Sequence, residues 1–262
     1  MTTPDASAET ERHLVLGESH PNYAEFAVTT TEDDRAALAI SAGVDLPARA
    51  LRAKGDAAHP NEDAGWLLWS PARVVLAVAD AHHGREASHD LLAALHANEE
   101  APPADVAGMR AYMEACLAGL GSRDSRSGAA VLIASIDRVT RQGAFWAVGD
   151  CAAFRVDRRG RVHPLVRRRS PFLEREQPEA VAPRVTPVPL QAGDTLVLAT
   201  DGLHECCYGQ PRRSVQPDDM AAVLHGAVGA GQWAARLTQT ALTGVRGQPG
   251  GQDNVCLALA TP

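Results

Sequence analysis

The chain of 262 residues is nearly devoid of lysine: Lys54 is the one example, and every other basic side chain apart from histidine is an arginine. Long apolar runs are missing too. None approaches the roughly 20 residues that a membrane-crossing helix needs. The opening stretch MTTPDASAETER is polar and acidic with no apolar segment, so no secretory signal is visible. Cysteine is sparse and unpatterned. Cys116, Cys151, Cys206, Cys207 and Cys256 are odd in number and contain no C-x-x-C spacing. That argues against a disulfide framework or zinc ribbon and fits a reducing cytoplasm. The adjacent Cys206 and Cys207 read as small hydrophobes before they read as a redox pair. Excess positive charge is also lacking. A net charge of -7 makes the chain a poor candidate for nucleic-acid binding, which relies on a positive surface to displace phosphate counterions. The expectation is a cytoplasmic protein with neither a membrane nor a nucleic acid as partner.

Hydrophobic residues make up 45% of the chain, enough for a sizeable core. Residues 1–20 read as a flexible tail, and YAEFAVTTTEDDRAALAISAG as a strand and a short helix. From residue 46 the pattern sharpens. WLLW (66–69) and RVVLAVAD (73–80) are apolar runs split by a short turn, which predicts strand, turn, strand. Helical spacing follows over 85–100, with Ala87, Leu91, Leu92 and Leu95 on one side. A second helix is expected over 102–121, with prolines at its start and glycine at its end. Strands are expected over 129–139, 143–150, 151–157 and 161–166. Residues 167–186, proline-rich and charged, read as a surface loop. A buried strand follows over 194–202, helices over 217–243 with a glycine-rich break near 226–231, and a last strand over 252–261. Helices in two groups with runs of strands between them define an α+β chain with mainly antiparallel sheet.

The strands share a feature. VVLAVAD ends on Asp80, FWAVGD on Asp150 and LVLATD on Asp201, while Asp253 stands just before the last strand. NED places Glu62 and Asp63 before WLLW. Taken singly, each reads as a turn residue or helix cap. Repeated at the rims of apolar strands, they raise a physical problem. Carboxylates at a hydrophobic rim are poorly solvated and repel one another. Divalent cations remove both difficulties, and an oxygen-only ligand set favours hard ions such as magnesium or manganese.

NEDA (61–64), VVLAVADAHHG (74–84), SGAAVLIASI (127–136), FWAVGDCAAFRV (145–156), DTLVLATDGLHE (194–205) and GQDNVCLAL (251–259) stand in one order and spacing. In that register the chain resembles the metal-dependent protein serine/threonine phosphatases of protein phosphatase 2C type, over about residues 46–262. The resemblance implies a four-layer α-β-β-α sandwich with a central, mainly antiparallel β-sandwich. It implies a catalytic domain over 46–262 preceded by a partly flexible extension over 1–45. The expected activity is hydrolysis of phosphoserine and phosphothreonine in proteins by a water activated at a site of two Mg2+ or Mn2+ ions. A cognate serine/threonine kinase is a candidate partner beside the phosphoprotein substrate. The alternative is a weak or inactive phosphatase-like module that binds phosphoproteins.

Residue by residue, the resemblance implies that Asp80 bridges the ions and the Ala81 carbonyl binds one of them. Asp201 and Asp253 would hold the other, and Glu62 and Asp63 would act directly or through water. Asp150 matches a position that, with Asp201, helps bind a third, weaker ion. His82 matches the histidine that protonates the leaving group. Asp80, His82, Asp201 and Asp253 are the expected catalytic set. Two departures stand out. The family's Asp-Gly-His-Gly-Gly is DAHHG here, and the phosphate-binding arginine is replaced by Ala58. Lys54 and His59 are the nearest candidates for the substrate phosphate, although Lys54 reads equally as an exposed residue with no such role. The arginine-dense segment 154–169 reads as a solvated hairpin or as a surface that recruits acidic or phosphorylated partners.

Overall fold

The computed structural model describes residues 10–56, 59–167 and 171–262. Its strands are β1 (Glu11–Leu16), β2 (Ala27–Thr30), β3 (Ala36–Ser41), β4 (Ala64–Trp69), β5 (Arg73–His82), β6 (Gly128–Asp137), β7 (Gly143–Val148), β8 (Ala152–Val156), β9 (Val162–Arg167), β10 (Leu173–Glu174), β11 (Arg184–Pro187), β12 (Thr195–Ala199) and β13 (Val255–Ala260). The helices are α1 (Ala48–Leu51), α2 (Glu86–Ala97), α3 (Val106–Leu120), α4 (Asp201–His204), α5 (Pro217–Leu224) and α6 (Ala230–Thr243). One sheet runs β1-β4-β5-β6-β7-β11, with β10 added to β6; the other runs β2-β3-β13-β12-β8-β9. Every described strand pair is antiparallel.

The period of two explains the layering. In β5, Val74, Leu76 and Val78 join the core between the two sheets. Val75, Ala77, Ala79 and Ala81 face the other way, onto Leu91, Leu92 and Leu95 of α2 and Met109 and Met113 of α3. The second sheet does the same. Leu196 and Leu198 of β12 point between the sheets, while Val197 and Ala199 pack on Met220 of α5 and Leu237 of α6. Three cores in sequence give the expected four layers. Caps end the helices where the sequence supplies them. Asp105 accepts from Gly108 N–H at 2.8 Å to start α3, and Gln216 N–H donates to Asp219 at 2.8 Å to start α5.

Two expectations need correction. Residues 10–45 do not stand apart from a domain that begins at 46 but contribute strands to both of its sheets. β1 pairs along its full length with β4, and Arg12 donates to the carbonyls of His96, Asn98 and Glu99 at the end of α2. β2 and β3 form an antiparallel pair, not a strand and a helix, and all six residues of β3 are buried between β2 and β13. AALAIS has the alanine content of a helix, yet a strand buried on both faces needs only small apolar residues without alternation. The earlier part of the expected tail, residues 1–9, lies outside the described residues. The second correction concerns 167–186, where β10 and β11 add to the first sheet. Short edge strands containing proline carry little periodic signal.

If β3 is core, Leu38→Ala will cost about 2–5 kcal/mol, the range for emptying a packed leucine site. Urea denaturation would read this as a lower midpoint at unchanged slope. A wild-type midpoint would mean that the first 45 residues are dispensable after all.

Candidate metal centre

The alternation that builds the inter-sheet core also aims the carboxylates. Asp80 follows Val74, Leu76 and Val78 in the inward register of β5 and is 2% exposed. One step beyond the last pair of β4 with β5, Ala64 with Ala79, Asp63 comes opposite Asp80. From the second sheet, Asp201 opens α4 directly after β12, and Asp253 precedes β13. Asp150 lies in the crossing from β7 to β8, that is, from one sheet to the other. That crossing requires Gly149, whose φ is 80° and whose place would drive a Cβ into Ala130. Gly202 is required likewise, because a Cβ there would overlap the Asn254 carbonyl.

The five aspartates therefore meet at one end of the sandwich. Asp80, Asp150 and Asp201 each place an oxygen within 4.8 Å of the other two. Asp253 is turned differently. Its Oδ1 lies 3.6 Å from Lys54 Nζ and accepts from Asn254 N–H at 2.9 Å. Glu62 Oε1 accepts from Gly55 N–H at 2.7 Å and Gly84 N–H at 2.9 Å, and Asp63 Oδ2 accepts from Thr200 Oγ1 at 2.8 Å. Among the described residues, the buried oxygens without a hydrogen-bond partner include Glu62 Oε2, Asp63 Oδ1, Asp80 Oδ2 and Asp201 Oδ1. Unsatisfied buried acceptors on this scale call for a cation. The donors are all oxygen, and the residues fit a magnesium or manganese centre.

Electrostatics agree. Burial, then the charges of Asp63, Asp253 and Asp150, push Asp80 well up. Burial, then Asp80 and Asp253, do the same to Asp201. Burial lifts Asp63 to about 8 in spite of Lys54 and the Thr200 hydrogen bond. Burial raises Glu62, against Lys54 and its two backbone donors.

The DAHHG departure resolves locally. Ala81 stays within β5, opposite Ala129, and does not take positive φ. The left-handed residue is His83, φ 61°, followed by Gly84 at 127°. Histidine thus bears a conformation that glycine adopts freely, held by His83 N–H donating to the Ala53 carbonyl at 2.7 Å. His82 Nε2 is 3.7 Å from Asp80 Oδ2, and Phe172 meets its ring edge-on with centroids 5.0 Å apart. Burial, then Lys54, lower His82 to about 4.

The two phosphate candidates separate. His59 is exposed and lines an open groove of about 450 Å³ with Glu62, His83, Arg85 and Arg123. Lys54 is not an exposed residue; its side chain is 2% exposed and lies among the carboxylates. Ala58 lies outside the described residues. Thr200, Asn254, Gly55 and Phe172 belong to the site but escaped sequence reading. For Thr200 and Asn254 the signal was there: each sits one step from an aspartate, in the inward register of β12 or β13. The arginine-dense segment forms the β8–β9 hairpin at the far end of β8 from Asp150. Asp157 ties its turn through Arg159 N–H, Arg161 N–H, Arg161 Nε and His163, which favours the solvated hairpin. The side chains of 167–169 lie outside the described residues.

A rim of inward carboxylates on an antiparallel β-sandwich, flanked by helices, is an architecture that this chain shares in fold with PPM-type serine/threonine phosphatases. Residues 70–261 match the sequence profile of Stage II sporulation protein E (SpoIIE), and the chain belongs to that family. It is similar in fold to the PPM Ser-Thr phosphatase MsPP from Mycobacterium smegmatis in complex with cacodylate, at 19% identity and TM-score 0.62, covering 86% of this chain and 97% of that one. The catalytic domain of the serine threonine protein phosphatase PstP in complex with two manganese ions matches at 22% identity and TM-score 0.59, over 90% and 99% of the two chains. RsbX in complex with magnesium matches at 15% identity and TM-score 0.56, over 90% and 98%. No curated protein matches the chain.

A stability signature follows from Asp63. Between its ordinary 3.8 and about 8, the folded protein retains a proton that the unfolded chain has released. Folding stability is thus fully present below this window and is lost as pH rises through it. In chelator, the melting temperature should fall by several degrees from about pH 5 to about pH 8.5. Saturating manganese should flatten the profile. A midpoint in chelator that is flat or rises with pH would contradict the assigned burial.

Proposed function

We propose that this protein hydrolyses phosphoserine and phosphothreonine in proteins at a metal centre of two Mg2+ or Mn2+ ions. The observation that carries the reading is the set of orphaned, inward carboxylate oxygens on Glu62, Asp63, Asp80 and Asp201. Bound divalent ions supply Lewis-acid charge at the phosphoryl oxygens and make hydroxide available at neutral pH. Asp80 is the natural shared ligand, since it neighbours both the Asp150–Asp201 group and Asp63. Asp201 and Asp253 would hold one ion with it, and Asp150, beside Asp201, would help to hold a third, weaker one. Glu62 is oriented by two backbone donors and presents its second oxygen inward. The Ala81 carbonyl is the remaining candidate ligand. Rigid strands on two sheets hold these groups before substrate arrives, which is the preorganisation that such a site requires.

His82 lies at the mouth of the site, part-exposed. Its place next to Asp80, braced by Phe172, supports a role at the leaving-group oxygen. The groove containing His59, His83 and Arg85 supports a path for the phosphorylated segment of a protein. A kinase that makes this substrate is the complementary partner. Among the described residues no helix is long and apolar enough to cross a membrane. The five free cysteines accord with a reducing cytoplasm.

Phosphate release from a phosphothreonine peptide should require manganese or magnesium and stop in chelator. Asp80→Asn should lower kcat/KM on the order of a hundredfold or more, because several kcal/mol of charge stabilisation depend on that ligand. Alanine at each cysteine should leave turnover largely intact, since none serves as a nucleophile. Undiminished activity in chelator would overturn the metal mechanism. Tight phosphopeptide binding without turnover would favour the phosphoprotein-binding module.

A further inference from the structure

The chain's single lysine is buried inside its most acidic site. Lys54 Nζ has no hydrogen-bond partner and lies 3.6 Å from Asp253 Oδ1, with side chains 2% and 7% exposed. A buried ammonium without hydrogen bonds is strongly unfavourable unless charges of opposite sign surround it. Here they do. Burial pulls the ammonium down, but Asp253, then Asp80, Asp63 and Glu62, outweigh it, and the net shift is upward. Lys54 is a fixed positive charge among groups that a divalent ion would also seek.

Its backbone is pinned on both sides. Ala53 accepts from His83 N–H at 2.7 Å, and Gly55 N–H donates to Glu62 Oε1 at 2.7 Å. Gly55 also packs so tightly on the Gly84 backbone that a Cβ would come within 2.6 Å of it. The segment cannot swing away as a loop, so only the side chain can yield. Its contact is also one-sided. The Asp80–Asp150–Asp201 trio holds its oxygens within 4.8 Å of one another, whereas Lys54 pairs with Asp253, outside that trio.

We infer that Lys54 is an internal counter-ion that competes with one divalent cation for the Asp253 side of the centre, making the two ion positions unequal in affinity. The inference rests on the metal-centre reading above. The ion on the side of Asp80 away from Asp253 binds with the Lys54–Asp253 pair intact. The ion at Asp253 binds only as the ammonium rotates away. In chelator the same ammonium partly neutralises the carboxylates and so supports the fold.

The test is calorimetric titration of the metal-stripped full chain with manganese, beside thermal unfolding in chelator. Wild-type protein should show one tighter and one weaker ion. Lys54→Met, a neutral side chain of similar length, should tighten the weaker ion about tenfold or more and leave the tighter one nearly unchanged, as removal of a neighbouring unit charge predicts. Lys54→Arg should keep the weaker ion weak. In chelator Lys54→Met should melt below wild type, with the gap closing at saturating manganese. If Lys54→Met does not fold without metal, Lys54→Gln supplies the titration. Unchanged or weakened manganese binding in the neutral variants overturns the counter-ion inference alone. Absence of manganese binding in wild type and variants alike overturns it together with the metal centre.

Discussion

Repulsion among Asp63, Asp80, Asp150, Asp201 and Asp253 at one end of an aliphatic core is the constraint around which the molecule is arranged. Charge of one sign, held in a poorly solvated place, is tolerated only where rigid structure prevents its escape and cations can answer it. The two sheets provide the rigidity. Their inward stripes, Val74, Leu76 and Val78 on one side and Leu196 and Leu198 on the other, end at the same level. The carboxylates are thus continuations of the core pattern and not loop residues gathered by chance. The helical layers matter indirectly, because Leu91, Met109 and Leu237 bury the outer faces and fix the strands.

Much of this was legible in the sequence where an apolar run ended on a charge. A strand such as VVLAVAD announces both its burial and its terminal carboxylate, and Asp80, Asp150, Asp201 and Asp253 all converge as that pattern implies. What escaped reading did so for identifiable reasons. β3 is a six-residue, doubly buried strand rich in alanine, so it shows no alternation and only one β-branched residue, Ile40. β1 depends on partners 48 to 58 residues away in β4, and short-range patterns cannot report such pairing. Lys54 was visible as an oddity of composition, but a lone cation carries no signal of its burial. Only the fold shows that the turn after α1 directs it inward.

One departure from the family pattern, His83, and the lone lysine sit next to each other in space. Lys54 and His83 come from segments joined by the Ala53–His83 hydrogen bond, and both place nitrogen-bearing side chains at or beside the metal centre. One is buried against Asp253, and the other opens the groove beside His59 and Arg85. The left-handed conformation of His83 stores a modest strain in the turn that leads from Asp80 to α2. The lost arginine is therefore not replaced by an equivalent lysine at the surface. The one lysine lies inward, against Asp253, and His59 and His83 line the open groove beside it.

The central claim is that this rim of carboxylates binds divalent ions. Anomalous diffraction from crystals of the protein grown with manganese tests it most directly. The account predicts two anomalous peaks flanking Asp80, the weaker of them on the Asp253 side. Crystals whose anomalous map is featureless at the rim, with Lys54 still seated on Asp253 and the carboxylate oxygens bonded only to water, would contradict it.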